Sequence, residues 1–372
     1  MGKLTVLVSG MIAGVPGQGG ATWAVLQYVL GLRRLGHDVV LAEPVKELTP
    51  ASVAYFHQVA TDFQLERSAA LVKVGTRETV GLDYRELVTK RPDVLLNVSG
   101  MLTDPELIGQ AARRVYLDLD PGFVQLWHDQ GIDMRFAGHT HFVTLGQRIG
   151  QPDCPIPTCD IDWIPTAQPV VLDRWPVATG PYTRNALTAI GNWRGYGSVE
   201  RNGVFYGQKC HSLRPLLDLP TRARERFQLA LAIHSGEVRD LEALAANGWE
   251  LLDSVDTAGT PARYRDFIRS SKAEFGLAKS GYVAARCGWF SDRSCCYLAS
   301  GRPVIAQDTA FGRWLPTGEG LFAFSTADDV LAATEALNAD YPRHARAARR
   351  IAEELFDSDK VLALLLERIG VT

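Results

Sequence analysis

Residues 4–43 read LTVLVSGMIAGVPGQGGATWAVLQYVLGLRRLGHDVVLAE, and this stretch decides the fold prediction. An apolar run over residues 4–8 has the length of a buried strand, and a glycine-rich loop follows it. Apolar residues at helical spacing then predict a helix over residues 21–35, which ends at Gly36. A second apolar run over residues 38–43 completes a strand–loop–helix–strand unit. Because such a crossover joins parallel strands with a right-handed turn, the unit predicts an open, parallel α/β sheet.

The same alternation of strand and helix patterns returns along the rest of the chain. In the first half, further strands are predicted at residues 94–98, 114–118 and 141–144. In the second half, strands are predicted at 186–190, 227–233, 249–252, 273–278 and 303–306, with helices at 238–246, 260–270 and 292–300. The two series predict two Rossmann-like α/β domains that face a cleft. Ligands of such sheets bind beyond the carboxyl ends of the strands.

A stretch of irregular composition separates the two series. Residues 151–181 contain seven prolines and show no clear period, so we place a domain junction there. The predicted boundaries are residues 1–175 for an N-terminal domain and 176–342 for a C-terminal domain. Residues 343–372 are predicted to form a C-terminal helix that packs back on the N-terminal domain. Its apolar side chains, which need a partner, are Ile351, Leu355, Val361, Leu364 and Leu365.

The composition excludes several classes of protein. Hydrophobic residues make up 46% and charged residues 22% of the 372-residue chain, which is typical of a globular protein and not of a disordered one. The 39 Lys and Arg residues nearly balance the 42 Asp and Glu residues, so we expect no nucleic-acid partner. No apolar run approaches ~18 residues, so no membrane span is expected. Six cysteines without a disulfide framework, and an N-terminus without the apolar core of a signal peptide, favour a reduced, cytoplasmic protein.

A glycine-rich loop made of Gly17, Gln18, Gly19 and Gly20 leads into the first predicted helix. Glycines let backbone N–H groups approach a ligand closely, and the positive end of a helix dipole favours an anion. The spacing matches neither the three-glycine dinucleotide fingerprint nor the Gly-Lys-Ser/Thr phosphate loop. We therefore interpret the loop either as a ligand-facing wall of the cleft or as a tight turn between strand and helix.

A second junction, over residues 279–294, has the composition of an anion site. A predicted strand leads through a loop to a helix, and Ser291 suits the N-cap of that helix. Free N–H groups, a hydroxyl and a guanidinium at the start of this helix suit a diphosphate group. We expect Arg293→Ala to leave the fold intact and to weaken binding. The residues predicted to form this site are Lys279, Ser280, Ser291, Asp292, Arg293 and Ser294.

Acidic residues follow a predicted strand of the first half. Asp118 and Asp120 face the same way if the strand continues, and a carboxylate at the cleft is a candidate general base. The alternative is that one of them caps the turn before Pro121. His139 is a third candidate for a catalytic contact with the acceptor or the donor. We expect no metal site, because His139 and His141 have no third ligand nearby in the sequence.

Several motifs together resemble those of GT-B glycosyltransferases. Gly19 and Gly20 precede a helix that ends in residues 32–39 (LRRLGHDV), which are similar to the family's L-x-x-x-G-H-x-V pattern. Residues 298–305 (LASGRPVI) look like the A-x-G-x-P-V-I element of its donor domain, and residues 318–330 resemble the segment before its late helices. The resemblance covers most of the chain. It implies a nucleoside diphosphate sugar as co-substrate, no other cofactor, and an acceptor site largely on the N-terminal domain.

The resemblance also implies positions for the donor. In similar enzymes a basic pair near the first strand of the donor domain holds the diphosphate, and Arg194 and Lys209 are the candidates here. The alternative for Lys209 is a solvated lysine on a helix. Trp193 is a candidate for stacking on the base of the nucleotide, and the alternative is a tryptophan packed in the core.

The chain departs from the large group-1 family at one place. Members usually carry two glutamates eight positions apart around the donor-domain helix, and Gly288 and Cys296 occupy these positions here. The acidic pair is missing, or is replaced by the nearby Asp292. The retaining mechanism of that family is therefore not implied.

The resemblance implies a glycosyltransferase that moves a sugar to a hydroxyl group of a small-molecule acceptor. We expect it to need no divalent metal, because the second half lacks an Asp-x-Asp on a donor-domain loop. A nucleotide-sugar epimerase on the same architecture and a non-catalytic nucleotide-sugar-binding protein are the alternatives.

Overall fold

Two largely parallel sheets, one in each half of the chain, form the framework of the computed structural model, which describes residues 2–371. The N-terminal half contains β1 (Thr5–Ser9), α1 (Gly19–Arg34), β2 (Asp38–Val45), α2 (Pro50–Asp62), β3 (Ala69–Lys73), β4 (Thr79–Gly81), α3 (Tyr84–Thr89), β5 (Val94–Val98), α4 (Pro105–Gly109), β6 (Arg113–Asp118), α5 (Phe123–Asp129), β7 (His141–Thr144) and β8 (Trp163–Pro165).

The C-terminal half repeats the alternation and ends in three helices. It contains β9 (Arg184–Asn192), β10 (Val199–Arg201), β11 (Val204–Tyr206), α6 (Lys209–Leu213), α7 (Leu219–Arg222), β12 (Phe227–Ala232), α8 (Val238–Ala246), β13 (Glu250–Leu251), α9 (Ser254–Ala258), α10 (Pro261–Ser270), β14 (Ser271–Gly276), α11 (Ser280–Ala285), α12 (Asp292–Ala299), β15 (Val304–Gln307), β16 (Leu321–Phe324), α13 (Ala327–Ala339), α14 (Tyr341–Leu355) and α15 (Ser358–Arg368).

The N-terminal sheet has eight strands in the order β4-β3-β2-β1-β5-β6-β7-β8, and only β3 and β4 are antiparallel. The central strand is β1, where Val6 is in register with Val39 of β2 and Val94 of β5. All three side chains are buried. Helices cover both faces of such a sheet, which explains why β1 is a continuous apolar run and does not alternate with polar residues.

The C-terminal sheet has six parallel strands in the order β13-β12-β9-β14-β15-β16. The strand order reverses around β9, which pairs with β12 on one side and β14 on the other. The carboxyl ends of strands at such a reversal form a crevice, and this is where open α/β sheets bind their ligands. The end of β9 at Asn192 therefore marks the expected position of a site.

The predicted fold class of two Rossmann-like sheets is confirmed. The strands at residues 94–98 and 141–144 have their predicted bounds, and the helices at residues 238–246, 260–270 and 292–300 lie within one residue of theirs. The bounds of β2, β9 and β14 differ from the prediction by two residues. Several elements were not predicted, among them the helix α2 and the hairpin β10–β11, whose three-residue strands carry too little periodicity. Residues 151–181 also differ from the prediction, because β8 lies there and adds an edge strand to the N-terminal sheet. Among residues 2–371, no helix is long and apolar enough to cross a membrane.

The C-terminal run forms two helices, where the sequence predicted one. Between α14 and α15 the chain straightens and pairs with Val170: the N–H of Val170 donates to the Phe356 carbonyl at 2.7 Å, and the N–H of Ser358 donates to the Val170 carbonyl at 2.9 Å. Asp357 then caps α15 by accepting from the N–H of Asp359 at 3.0 Å. As a result α14 packs on α12 in the C-terminal half, and α15 returns to α1 in the N-terminal half.

Of the residues predicted to attach α15, Val361 and Leu365 are buried, but Leu364 is not. Leu364 is 45% exposed, while Leu362 is fully buried against Gly31 of α1. A Cβ at Gly31 would lie 2.5 Å from Leu362 Cδ1, so glycine is needed for this close approach. The break after α14 shifts the helical phase, which is why the stripe extrapolated through a single helix selected Leu364.

We predict that Leu362→Ala lowers the free energy of unfolding by about 2–5 kcal/mol, since it removes buried side-chain volume between α15 and α1. Leu364→Ala is the matched control on the same helix and should change stability by less than about 0.5 kcal/mol. Chemical denaturation of the two variants measures both values. Equal effects would contradict the packing described here.

Candidate active site

A cavity of about 310 Å³ lies between the two halves of the chain, beyond the carboxyl ends of β1 and β9. The loop after β1 and the first turn of α1 form one wall, and elements of the C-terminal half form the other. The lining residues are Pro16, Gly17, Gln18, Gly19, Gly20 and Ala21 on the first wall, and Ile190, Gly191, Asn192, Ala230, Ala232, Ser254, Val255, Ala258, Tyr264, Asp292 and Arg293 on the second.

Two helices begin at this cavity. The first turn of α1 starts at Gly19, the first turn of α12 starts at Asp292, and both line the cavity. The side chain of Gln18 makes no capping hydrogen bond to α1, and the first turn of α1 has no acidic residue. The first N–H groups of α1 therefore present the positive end of the helix dipole without a local anion, which favours an anionic ligand.

The glycines of α1 have a further role that the sequence did not reveal. A Cβ at Gly19 would overlap the carbonyl oxygen of Thr260, and one at Gly20 would lie 2.8 Å from Cε2 of Tyr264. These glycines let α1 approach α10 of the other half at backbone distance. Trp23 Nε1 donates to the Pro261 carbonyl at 2.8 Å in the same contact.

The floor of the cavity at Gly191 lies above two cationic side chains. Gly191 has φ +151°, and a Cβ there would lie 3.1 Å from Lys209 Cε and 3.7 Å from Arg293 Nη1. Lys209 is buried, and its ammonium donates to the Leu277 carbonyl at 2.9 Å. Burial, and then the neighbouring Arg293, lower the pKa of Lys209. Lys209 does lie on a helix, at the start of α6, but it is not solvated as the alternative predicted.

Arg293 lies at the cavity but is part of the core. Its Nε donates to Glu274 Oε1 at 2.5 Å and its Nη1 donates to the Ile190 carbonyl at 2.7 Å. Glu274 is fully buried. The expectation that Arg293→Ala leaves the fold intact does not fit this position, because the variant would leave a buried carboxylate uncompensated, at a cost of about 3–5 kcal/mol.

The other residues predicted at the second junction do not all line the cavity. Asp292 lines the cavity and accepts a hydrogen bond from the Ser291 hydroxyl at 3.2 Å. Ser291 caps α12 as predicted, by accepting from the N–H of Arg293. Ser294 and Ser280 lie outside the residues that line the cavity, and Ser294 is 1% exposed.

Trp193 and Arg194 also lie outside the cavity lining. Trp193 is 1% exposed, and its Nε1 donates to Asp240 Oδ2 at 2.8 Å. Its ring is enclosed by the core and is not free to stack on a base. Trp193 is therefore a tryptophan packed in the core, which was the alternative prediction. Arg194 is exposed, and its Nε donates to Glu237 Oε1 at 2.5 Å. A partner carboxylate thus occupies the guanidinium that was predicted to hold a diphosphate.

Asp118 is surrounded by hydrogen-bond donors of the protein itself. The Asp118 carboxylate is fully buried and accepts from Gln125 Nε2 at 2.9 Å, Thr144 Oγ1 at 2.8 Å and the N–H of Asp120 at 2.8 Å. Burial raises the pKa of Asp118 to about 6. Through these hydrogen bonds the Asp118 carboxylate stabilises the turn after β6. This agrees with the alternative prediction, in which an aspartate caps the turn before Pro121.

His139 is held by hydrogen bonds on both ring nitrogens. Nε2 lies 3.1 Å from Asn97 Nδ2, and Nδ1 lies 3.2 Å from the Phe136 carbonyl. Asn97 Nδ2 donates, so Nε2 accepts and Nδ1 carries the proton. Burial lowers the pKa of His139, which favours this neutral form.

Asp120 and Lys279 form an ion pair that joins the two halves. Lys279 Nζ lies 3.1 Å from Asp120 Oδ1 and 3.7 Å from the centroid of the Tyr196 ring. The hydroxyl groups of Tyr196 and Tyr282 contact this pair as well. Because Asp120 belongs to the N-terminal half and Lys279 to the C-terminal half, this geometry gives Asp120 a role in the contact between the halves.

No protein-family profile matches the sequence, and no curated protein matches it either. Solved structures do match along nearly the whole chain. An α-glucosyltransferase in complex with UDP and DNA containing an A:G mismatch superposes with a TM-score of 0.63 at 12% identity, over 98% of this chain and 99% of that chain. HepE of Anabaena in complex with UDP-glucose superposes with 0.60 at 12% identity, over 99% and 100%. AviGT4, a glycosyltransferase involved in avilamycin A biosynthesis, superposes with 0.54 at 16% identity, over 98% and 97%.

The chain has the GT-B fold. This agrees with the resemblance noted in the motifs, and the low identities mean that the match describes architecture. Within this GT-B fold the structure brings together the glycine loop, Asp292 and Arg293, with Lys209 beneath them. Sequence reasoning missed Tyr264 and Ser254, which line the cavity from α10 and α9 without any motif to mark them.

We predict that Gly19→Ala lowers the free energy of unfolding by about 1–3 kcal/mol, because the new Cβ overlaps the Thr260 carbonyl. Gly109→Ala is the control: it lies in α4 with nothing within 4 Å of the added Cβ, and helix propensity favours alanine there. Urea unfolding distinguishes them. A Gly19→Ala variant as stable as Gly109→Ala would show that the halves do not approach this closely.

We predict that Asp118→Asn changes how stability depends on pH. Burial raises the pKa of Asp118 to about 6, so in the wild type the carboxyl binds its proton more tightly when folded. Its contribution is fully present at low pH and is lost as pH rises from about 4 to 6. The stability of Asp118→Asn relative to wild type should therefore rise over this window, by up to about 3 kcal/mol. Parallel pH profiles of the two unfolding free energies would contradict this.

Proposed function

We propose that the cavity binds a nucleoside diphosphate sugar and that the protein is a glycosyltransferase that needs no divalent metal. The observation that carries this proposal is the convergence on one cavity of the uncapped start of α1, the start of α12, and the cations Lys209 and Arg293. Together they supply donors and positive charge for a diphosphate. Several solved structures with this fold hold UDP or UDP-glucose, which supports the same ligand class here.

The proposed chemistry is the departure of the diphosphate from the sugar. Negative charge grows on the leaving oxygen, and fixed donors that await it stabilise the transition state. The N–H groups of α1 and the cations below Gly191 are placed for this role. A metal ion serves this role in other enzymes; here we assign it to the N–H groups of α1 and to Lys209, whose charged form a bound diphosphate would favour, while Glu274 balances the charge of Arg293.

We assign the donor sugar to the space beside Asp292. This carboxylate lines the cavity, in the region where the resemblance places the group-1 acidic pair. Carboxylates bind sugar hydroxyl groups through charge-assisted hydrogen bonds. The acceptor then approaches from the N-terminal wall. The net charge of −3 favours a small-molecule acceptor over DNA, although some proteins of this fold are solved with DNA.

The test is release of nucleoside diphosphate from a panel of nucleotide sugars, with and without acceptors. We predict that Lys209→Met lowers this rate by about 100-fold or more, since it removes a fixed positive charge near the leaving group. Lys3→Met, at an exposed ion pair with Asp38, is the control and should retain wild-type turnover. Activity should also survive EDTA.

Two results would contradict the proposal. Wild-type turnover in a folded Lys209→Met variant would show that the diphosphate does not bind in this cavity. A nucleotide sugar that is epimerised, with no transfer to any acceptor, would indicate an epimerase on the same fold.

A further inference from the structure

A buried carboxylate holds the loop that forms the N-terminal wall of the cavity. Glu43 lies near the end of β2, and its side chain is fully buried. The N–H of Ala13 donates to Glu43 Oε2 at 2.8 Å and to Oε1 at 3.0 Å, and the N–H of Gly14 donates to Oε1 at 2.6 Å. Hydrogen bonds from N–H groups to an ionised acceptor are about twice as strong as neutral ones, so this carboxylate is a firm anchor.

The same loop, residues 10–18, is attached to α1 at both of its ends. Thr22 Oγ1 lies 3.2 Å from the carbonyl oxygen of Ile12 and 3.2 Å from that of Gln18. Thr22 Oγ1 also lies 3.1 Å from the hydroxyl of Tyr55, which donates to the Gly259 carbonyl in the C-terminal half at 3.1 Å. The conformation of the loop is thereby tied to the contact between the two halves.

The loop has little conformational preference of its own. It contains Gly10, Gly14 and Gly17, and glycine loses more backbone freedom on ordering than any other residue. A Cβ at Gly14 would lie 3.0 Å from Glu43 Oε1, so the approach of the carboxylate requires glycine there. Because Pro16 and Gly17 line the cavity, a displaced loop displaces that wall.

We propose that Glu43 is a positioning residue whose carboxylate fixes the loop over residues 10–18 and so sets the affinity of the cavity for the donor diphosphate. Glu43 does not line the cavity, so it acts only through Ala13 and Gly14. The part that concerns affinity rests on the proposed function, and the part that concerns the loop does not.

The protonation state of Glu43 provides a second, independent way to test its hold on the loop. Burial raises its pKa to about 7, against the opposing effect of the amide groups of Ala13, Gly14 and Ile12. Opening of the loop exposes this carboxyl to water, where it releases its proton more readily, so the closed loop binds the proton more tightly than the open loop does. Tyr55 is the titratable group on α2 that responds to this carboxylate, and burial raises its pKa, so it stays neutral near pH 7. The closed loop is therefore favoured most at low pH and should loosen as pH rises towards about 7.

The direct test is amide hydrogen exchange at Ala13 and Gly14, expressed relative to the amides of β5 in the same protein. This ratio removes any global loss of stability. Glu43→Leu should raise the relative exchange rate roughly tenfold or more, because two charge-assisted hydrogen bonds are lost. Glu43→Gln should have a smaller effect, since its amide oxygen still accepts one hydrogen bond.

Donor kinetics separate positioning from general destabilisation. Glu43→Gln should raise KM for the nucleotide sugar more than it lowers kcat. Leu337→Ala is the control, because Leu337 is fully buried in α13 outside the cavity lining. It should lower the melting temperature and leave the donor KM unchanged.

Unchanged relative exchange at Ala13 and Gly14 in Glu43→Leu would overturn the proposal. If neither variant folds, the wild-type protein decides: after correction for intrinsic exchange, relative protection of both amides should fall as pH rises from about 5 to about 7, and constant protection would refute the role of Glu43. A wild-type protein that binds no nucleoside diphosphate would instead refute the proposed function, and the exchange result would still stand.

Discussion

The approach of α1 to α10 at backbone distance is the contact on which the rest of the structure depends. It needs Gly19 and Gly20, and Trp23 reinforces it by donating to the Pro261 carbonyl. The packing of α15 on α1 and the Asp120–Lys279 ion pair join the two halves at other places. Domains with a large apolar interface move little against each other. The cavity between them is therefore largely preformed, with its walls set before a ligand arrives.

This arrangement brings N–H donors and the basic side chains of Lys209 and Arg293 to one place in a chain whose net charge is −3. The start of α1 faces the cavity uncapped, and Lys209 and Arg293 lie beneath Gly191, away from bulk water. Cations removed from water interact more strongly with a nearby anion than exposed ones do. Glu274 keeps Arg293 in place, and Glu43 keeps the opposite wall in place. The proposed site thus depends on two buried carboxylates that no sequence motif marks.

The fold could be predicted from the sequence to a large extent, because buried parallel strands are continuous apolar runs and glycines punctuate them. The site could be predicted only in part. Asp292 was found because it opens a helix after a strand, which is a local feature. Trp193 and Arg194 were misplaced because their partners, Asp240 and Glu237, lie more than forty residues away, and sequence spacing does not reveal such contacts. Gly19 was interpreted from its local turn, while its tertiary role depends on Thr260.

Calorimetric titration of the wild-type protein with UDP, UMP and uridine shows whether the cavity is a diphosphate site. UDP should bind at least about tenfold more tightly than UMP, and uridine should bind more weakly still. Added salt should narrow the difference between these affinities, because the affinity comes from charge at the cavity floor. Equal affinities for UDP and uridine, or no heat from any of the three, would contradict a diphosphate site in this cavity.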